Sequence, residues 1–241
     1  MPPCASLNRL GGILLAALVV GGCSSGSSSS SVAKSTTTVP ASTTTTQNVP
    51  ADKLAASTVV IQPVDAGPGF KGTAHDPTGD TDLGPCVNHD SLLSGLDYPT
   101  QADGQDLTNS SGIPSTDISS SVRVAPTVAA ALASMAAFKA PGVLPCLTDL
   151  IKQGAPSEVT ISRFGVTPLT VPMIGDDVFA FKVDSTVTQS GTTVHTTFSA
   201  IAVRKGRVLS ELSVTGQNVV PPLSLATRLA TLMATRSASV T

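Results

Sequence analysis

The chain has no tryptophan, one tyrosine, and an aromatic content of only 3%. Charged residues are scarce as well, at 12%. Serine, threonine, alanine and valine fill the gap, a composition that predicts that part of the chain does not fold. Few aromatic or long apolar side chains are left over to line a large apolar cavity. The formal net charge is −2, and Lys and Arg are not clustered, which excludes a basic nucleic-acid surface. There is no G-x-S-x-G elbow and no S-x-x-K, so nucleophilic catalysis has little support and no catalytic residue is assigned. No internal repeat is found.

What is present begins with an apolar run. Leu10–Val20 follows a short segment whose one cationic side chain is Arg9. Spanning a bilayer takes about 20 apolar residues, so the run is too short for that and fits the core of a signal peptide. It closes on Val20-Gly21-Gly22-Cys23, which resembles the bacterial lipobox. That resemblance implies cleavage before Cys23 and a diacylglyceryl group on its Sγ, with two or three acyl chains giving stable membrane anchoring. The expected order is therefore a signal peptide over 1–22, a Ser/Thr-rich disordered tether over 23–51, one folded domain over 52–236 and a disordered tail over 237–241. The Ser/Thr/Pro mixture of the tether also suits O-glycosylation. The folded block, roughly 185 residues, is long enough for a real core.

Within that block, Asp52–Ala56 reads as a helical turn and Val59–Ile61 as a short β-branched run. Pro63–Leu83 and Thr100–Pro114 read as loops, and Val87–Leu96 as a short helix. Ser119–Val124 alternates as a strand does. Pro126 suits the start of a helix, with Val128, Leu132, Met135 and Phe138 on one face. Pro145 opens a second helix with Leu147, Leu150 and Ile151 inward and Gly154 as its stop. Ser157–Val166 is another strand. Asp176–Gln217 predicts a three-stranded meander turning at Ser190-Gly191 and Lys205-Gly206. After Pro221-Pro222 comes a last helix with Leu225, Leu229 and Leu232 packed on the sheet. The class is α+β: a twisted antiparallel sheet of that meander plus one or two further strands, packed against helices.

Four groups of residues could carry chemistry. Cys86 and Cys146 form an even pair in an exported domain and are expected to be disulfide-bonded. Gly67, Gly69 and Gly72 match G-x-G-x-x-G, but Thr-Ala-His-Asp-Pro cannot be the helix such a motif needs, which leaves a surface turn. His75, Asp76, Asp80, Asp82, His89 and Asp90 offer imidazole and oxygen ligands, yet their spacing matches no EF-hand, no zinc ribbon and no H-E-x-x-H helix. They are read as a polar loop, with no metal and no cofactor expected. His195 falls mid-strand in a solvent-facing or cross-strand role, and Asp176-Asp177 is a turn.

The layout resembles one group of proteins. It combines the lipobox, the tether, a cysteine after an acidic loop, and Val122-Arg123-Val124 before an Ala-rich helix. It continues with a second cysteine at the next helix, then Gly175–Phe181 and Ile201–Val208. Together these are similar to the extracellular sensor domain of PknH-type actinobacterial kinases and the free-standing lipoproteins related to it. The resemblance implies a twisted sheet with a cleft and a sensory, non-catalytic role. Those sensor domains tend to have two disulfides where this domain has cysteines for one. A second likeness is to small mycobacterial lipoproteins with a Mog1/PsbP-like fold. The expected protein is thus not an enzyme. It is a lipid-anchored envelope module, facing outward, that binds a small-molecule, glycan, lipid or protein ligand on the open side of the sheet or beside the Asp-rich loop. Nucleic acid is not a partner, and no ligand-binding residue is singled out. A carrier of lipid or glycolipid is the alternative.

Overall fold

A computed structural model describes residues 47–76, 86, 98–110, 112–153 and 159–240. Cys23, Asp80, Asp82, His89, Asp90, the Val87–Leu96 helix and the Gly154 stop lie outside the described residues.

The strands are β1 (Lys71–Thr73), β2 (Ala102–Asp103), β3 (Asp106–Thr108), β4 (Ser115–Val124), β5 (Val159–Pro168), β6 (Asp177–Gln189), β7 (Thr192–Lys205) and β8 (Val208–Gln217). They form one antiparallel sheet in the order β1-β3-β4-β8-β7-β6-β5, with β2 also paired to β4. The helices are α1 (Val49–Ser57), α2 (Pro63–Ala66), α3 (Val128–Phe138), α4 (Val143–Gln153) and α5 (Leu223–Ser237). The chain leaves β4 at the middle of the sheet, crosses one face through α3 and α4, and enters β5 at the far edge. The meander β6-β7-β8 then walks back until β8 pairs with β4 over its whole length, Ser115 opposite Gln217 through Val124 opposite Val208.

Alternation along the strands gives the sheet two covered faces. On one, Ile118, Val122, Ala180, Ile201, Val203, Leu212 and Val214 pack under α1, α2 and α5. Leu229 and Met233 of α5 are fully buried there. On the other, Phe181, Val183, Ala202 and Leu209 pack under Met135, Phe138, Val143 and Leu147 of α3 and α4. Phe138, Phe179, Phe181 and Phe198 run across this second cluster with successive ring centroids 5.4, 6.1 and 6.0 Å apart.

The meander agrees with the pattern reading in extent. Its first turn is Ser190-Gly191, both at positive φ (49° and 79°), as a two-residue hairpin loop demands. The second turn falls on Gly206-Arg207, one residue later than expected, with Lys205 still paired to Val208. Asp176 fixes that turn. Its carboxylate accepts from the Gly206 N–H at 2.8 Å, from Lys205 Nζ at 2.8 Å and from Arg204 Nη1 at 3.3 Å. These contacts, the Gly206 N–H foremost, hold the carboxyl below the ordinary aspartate range.

The N-terminal part departs from expectation. The supposed loops Pro63–Leu83 and Thr100–Pro114 contain α2, β1, β2 and β3, elements too short for periodicity to reveal. Val59–Ile61 is buried without being a strand; Ile61 donates its N–H to Ser120 Oγ at 3.0 Å. α3 starts at Val128 with Thr127 as its cap, and its inward face is Ala131, Ser134, Met135 and Phe138. Val128 and Leu132, expected inside, are each 46% exposed. Two ion pairs lock the N-terminal helices to the C-terminal half. Asp52 of α1 meets Arg207 at 3.1 Å, and Asp65 of α2 meets Arg236 of α5 at 2.8 Å.

Candidate binding face

The face that carries α3 and α4 is apolar over β5–β7 and at Leu209, the start of β8. Where it continues over β8 and β4 the same alternation places polar groups. Ser115, Asp117, Ser119, Ser121 and Arg123 of β4 share this side with Glu211, Ser213, Thr215 and Gln217 of β8. Register makes them cross-strand partners: Ser115 with Gln217, Asp117 with Thr215, Ser119 with Ser213 and Ser121 with Glu211. Ser119 Oγ and Ser213 Oγ lie 2.7 Å apart, and Ser121 Oγ donates to Glu211 Oε2 at 3.4 Å. Beyond β8, Phe198 stands opposite Thr215, so the aromatic row forms one wall of this polar floor.

Each end of the floor carries charge. At one end Arg123, only 3% exposed, approaches Glu211 Oε1 at 3.3 Å and donates from Nε to Gln101 Oε1 at 2.9 Å. Gln101 in turn donates to Asp103 Oδ1 at 2.7 Å. At the other end Asp117 accepts from Ser115 Oγ at 3.1 Å. Burial pushes the Asp117 carboxyl above the ordinary aspartate range; hydrogen bonds from Thr108 and Ser115 oppose the shift, and the nearby Asp106 charge adds to it. Asp106 is 3.0 Å from His75 Nδ1 and also takes the Asp76 N–H at 3.3 Å. A row of hydroxyls between an arginine–glutamate pair and a half-buried aspartate can donate to and accept from a ligand rich in hydroxyl or amide groups.

The residues singled out in the sequence distribute as follows. Cys86 and Cys146 form a disulfide, with Cα atoms 5.4 Å apart, and Cys86 packs against the α3–α4 cluster. His75 and Asp76 meet at Asp106, beside the floor. Among the described residues no group of three His, Cys, Asp or Glu is arranged to hold a metal ion. His195 is exposed and pairs across the hairpin with Thr186 through Nδ1 at 2.9 Å. Gly67 and Gly69 are turn residues with φ of 112° and 90°, and Gly72 lies inside β1.

Sequence reading missed the floor itself. Its signal was the alternate polar positions of Ser115–Arg123 and Glu211–Gln217, a pattern that also describes any solvated strand face. No known protein family matches this sequence, and no curated protein matches it significantly.

Proposed function

We propose that this protein is a non-catalytic binding module of the cell envelope, held at the membrane by lipid on Cys23, whose ligand occupies the polar floor of β4 and β8. The observation that carries the reading is the division of one sheet face into an apolar half that α3 and α4 cover and a hydroxyl-rich, half-buried one. Half-burial of serines, aspartate and glutamate in the middle of a sheet has no stabilising purpose of its own. A sensor-like role, as in the PknH-type domains, and an actinobacterial source remain part of this proposal. The lipid-carrier alternative has weaker support, because the apolar side chains of both faces fill two packed clusters.

Two experiments test it. Metabolic labelling with an alkyne fatty acid should mark the native protein and not Cys23→Ala; label on both refutes the anchor. Amide shifts measured against soluble peptidoglycan fragments and envelope polysaccharides should concentrate at Ser119, Ser121 and Ser213 and disappear in Ser213→Val. Shifts confined to other strands refute the assignment of the floor, and turnover of a fragment refutes the non-catalytic reading.

A further inference from the structure

Helix α3 has an inverted pattern. Its sequence, Val-Ala-Ala-Ala-Leu-Ala-Ser-Met-Ala-Ala-Phe, holds one polar side chain, Ser134, and that residue is 5% exposed on the buried side. The outer side is Val128, Ala129, Leu132, Ala133 and Ala136, all exposed. Exposed Ala140, Pro141 and Gly142 extend it. A helix apolar all round is ordinarily enclosed by protein or by lipid, and among the described residues this one is enclosed on one side only. The bare stripe follows helical spacing for the whole length of α3, about 16 Å at 1.5 Å per residue.

Where the chain enters the domain says what covers it. Gln47 donates from Nε2 to the carbonyl of Val124 at 2.8 Å, and Tyr98 also hydrogen-bonds the Gln47 side chain. Val124 ends β4, four positions before Val128, so the described chain begins, at Gln47, close to the residues that lead into α3. If residues 23–46 act as the tether of the preceding section, a flexible chain of that length has an r.m.s. reach of about 27 Å. The acylated end and the apolar stripe are then confined within a few nanometres of each other, and a weak surface contact gains from the high effective concentration.

We infer that the outer face of α3 docks on the bilayer that holds Cys23, burying Val128, Leu132 and the alanines between them at the interface of headgroups and acyl chains. The inference rests on the anchor reading. α3 lies on the same side of the sheet as the polar floor, so docking would turn the floor towards the membrane surface.

The absence of tryptophan makes the test direct. Full-length protein acylated in its producing cell is placed on vesicles of phosphatidylethanolamine and phosphatidylglycerol, as Leu132→Trp and, for comparison, as Thr193→Trp on the β6–β7 hairpin. Flotation reads the anchor, and emission with doxyl-labelled lipid reads the face. Leu132→Trp should shift to the blue and lose most of its emission to the quencher, while Thr193→Trp keeps its own. Adding Ala133→Glu and Ala136→Glu should restore Leu132→Trp emission with flotation unchanged. Flotation without quenching at 132 overturns the docking alone. A blue shift that needs no vesicles and grows with protein concentration names a second copy as the occupant and also overturns it. Failure to float overturns the anchor and the docking together.

Discussion

Asp65→Asn is the most informative single change to the scaffold. The carboxylate, 10% exposed, accepts from Arg236 Nη1 at 2.9 Å, from Arg236 Nη2 at 2.8 Å and from the Gln62 N–H at 2.9 Å. Arg236 also donates to the Val60 carbonyl at 3.1 Å. One side chain thus binds α2, the buried 59–61 segment and the last turn of α5. Exposed ion pairs contribute about 0–1 kcal/mol, whereas removing one partner of a buried pair costs about 3–5 kcal/mol. Arg236 is 28% exposed and can turn to water, which puts the expected loss between these limits at about 2 kcal/mol. For a domain of this size that is roughly 4–8 °C in Tm. The pH dependence carries the sharper test. Burial raises the Asp65 carboxyl, but the Arg236 and Gln62 hydrogen bonds outweigh it and leave the group below the ordinary range. A carboxyl depressed in the folded state stabilises above its unfolded pKa of about 3.9, and that contribution fades as pH falls through the folded value. Thermal unfolding followed by circular dichroism should therefore show the gap between the native chain and Asp65→Asn at pH 7 and see it close in strong acid. An equal gap at both pH values, or none at pH 7, would refute the reasoning.

Three further outcomes are expected. Opening the Cys86–Cys146 bridge, which spans a sequence separation of 60, should cost about 4 kcal/mol by chain entropy, read as a lower urea midpoint in reductant; an unmoved midpoint counts against a bridge that stabilises. Gly216→Ala would set a Cβ 2.2 Å from the Val219 carbonyl oxygen and 2.5 Å from Pro221 Cδ, so a loss of about 1–3 kcal/mol is expected. Gly165→Ala, with nothing within 4 Å, should be neutral or gain up to about 1 kcal/mol; equal effects at the two sites would show that close approach is not the cause. Asp117→Asn should leave the protein as stable or more stable at pH 7. A carboxyl raised in the folded state gains stability as pH falls through that raised value, so the advantage should vanish in acid, and a loss at neutral pH would mean that the charge is needed by its neighbours.

Long alternating strands with a glycine at the turn were readable because one physical signal, period two, persists over ten or more residues. Phe179, Phe181 and Val183 face the α3–α4 cluster as alternation required, and Leu229 of α5 is buried as its spacing required. The short strands of the N-terminal part were not, since two or three residues carry no period. α3 buries Met135 and Phe138 as its spacing required, but leaves Val128 and Leu132 outside. Val128 and Leu132 are the larger side chains, yet Thr127 capping and the packing of Phe138 on Phe179 set the rotation and bury Ala131 and Ser134 instead. The polar floor was legible only as polar positions in strands. Nothing local distinguishes a polar stripe facing water from one walled by Phe198 and closed at each end by charge.

The way the chain enters the domain also decides how it would bear mechanical load. A pull on the segment before Gln47 arrives first at the carbonyl of Val124 and, through Asp52, at Arg207 and the turn joining β7 to β8. Both lie at the ends of central strands whose ten-residue pairing is the spine of the sheet. Peeling an edge strand breaks ladder bonds one after another, while tension delivered to the centre must first part the Asp52–Arg207 clamp. Under tension applied at its N-terminal end, the chain would so give up α1 before it gave up the sheet that carries the polar floor.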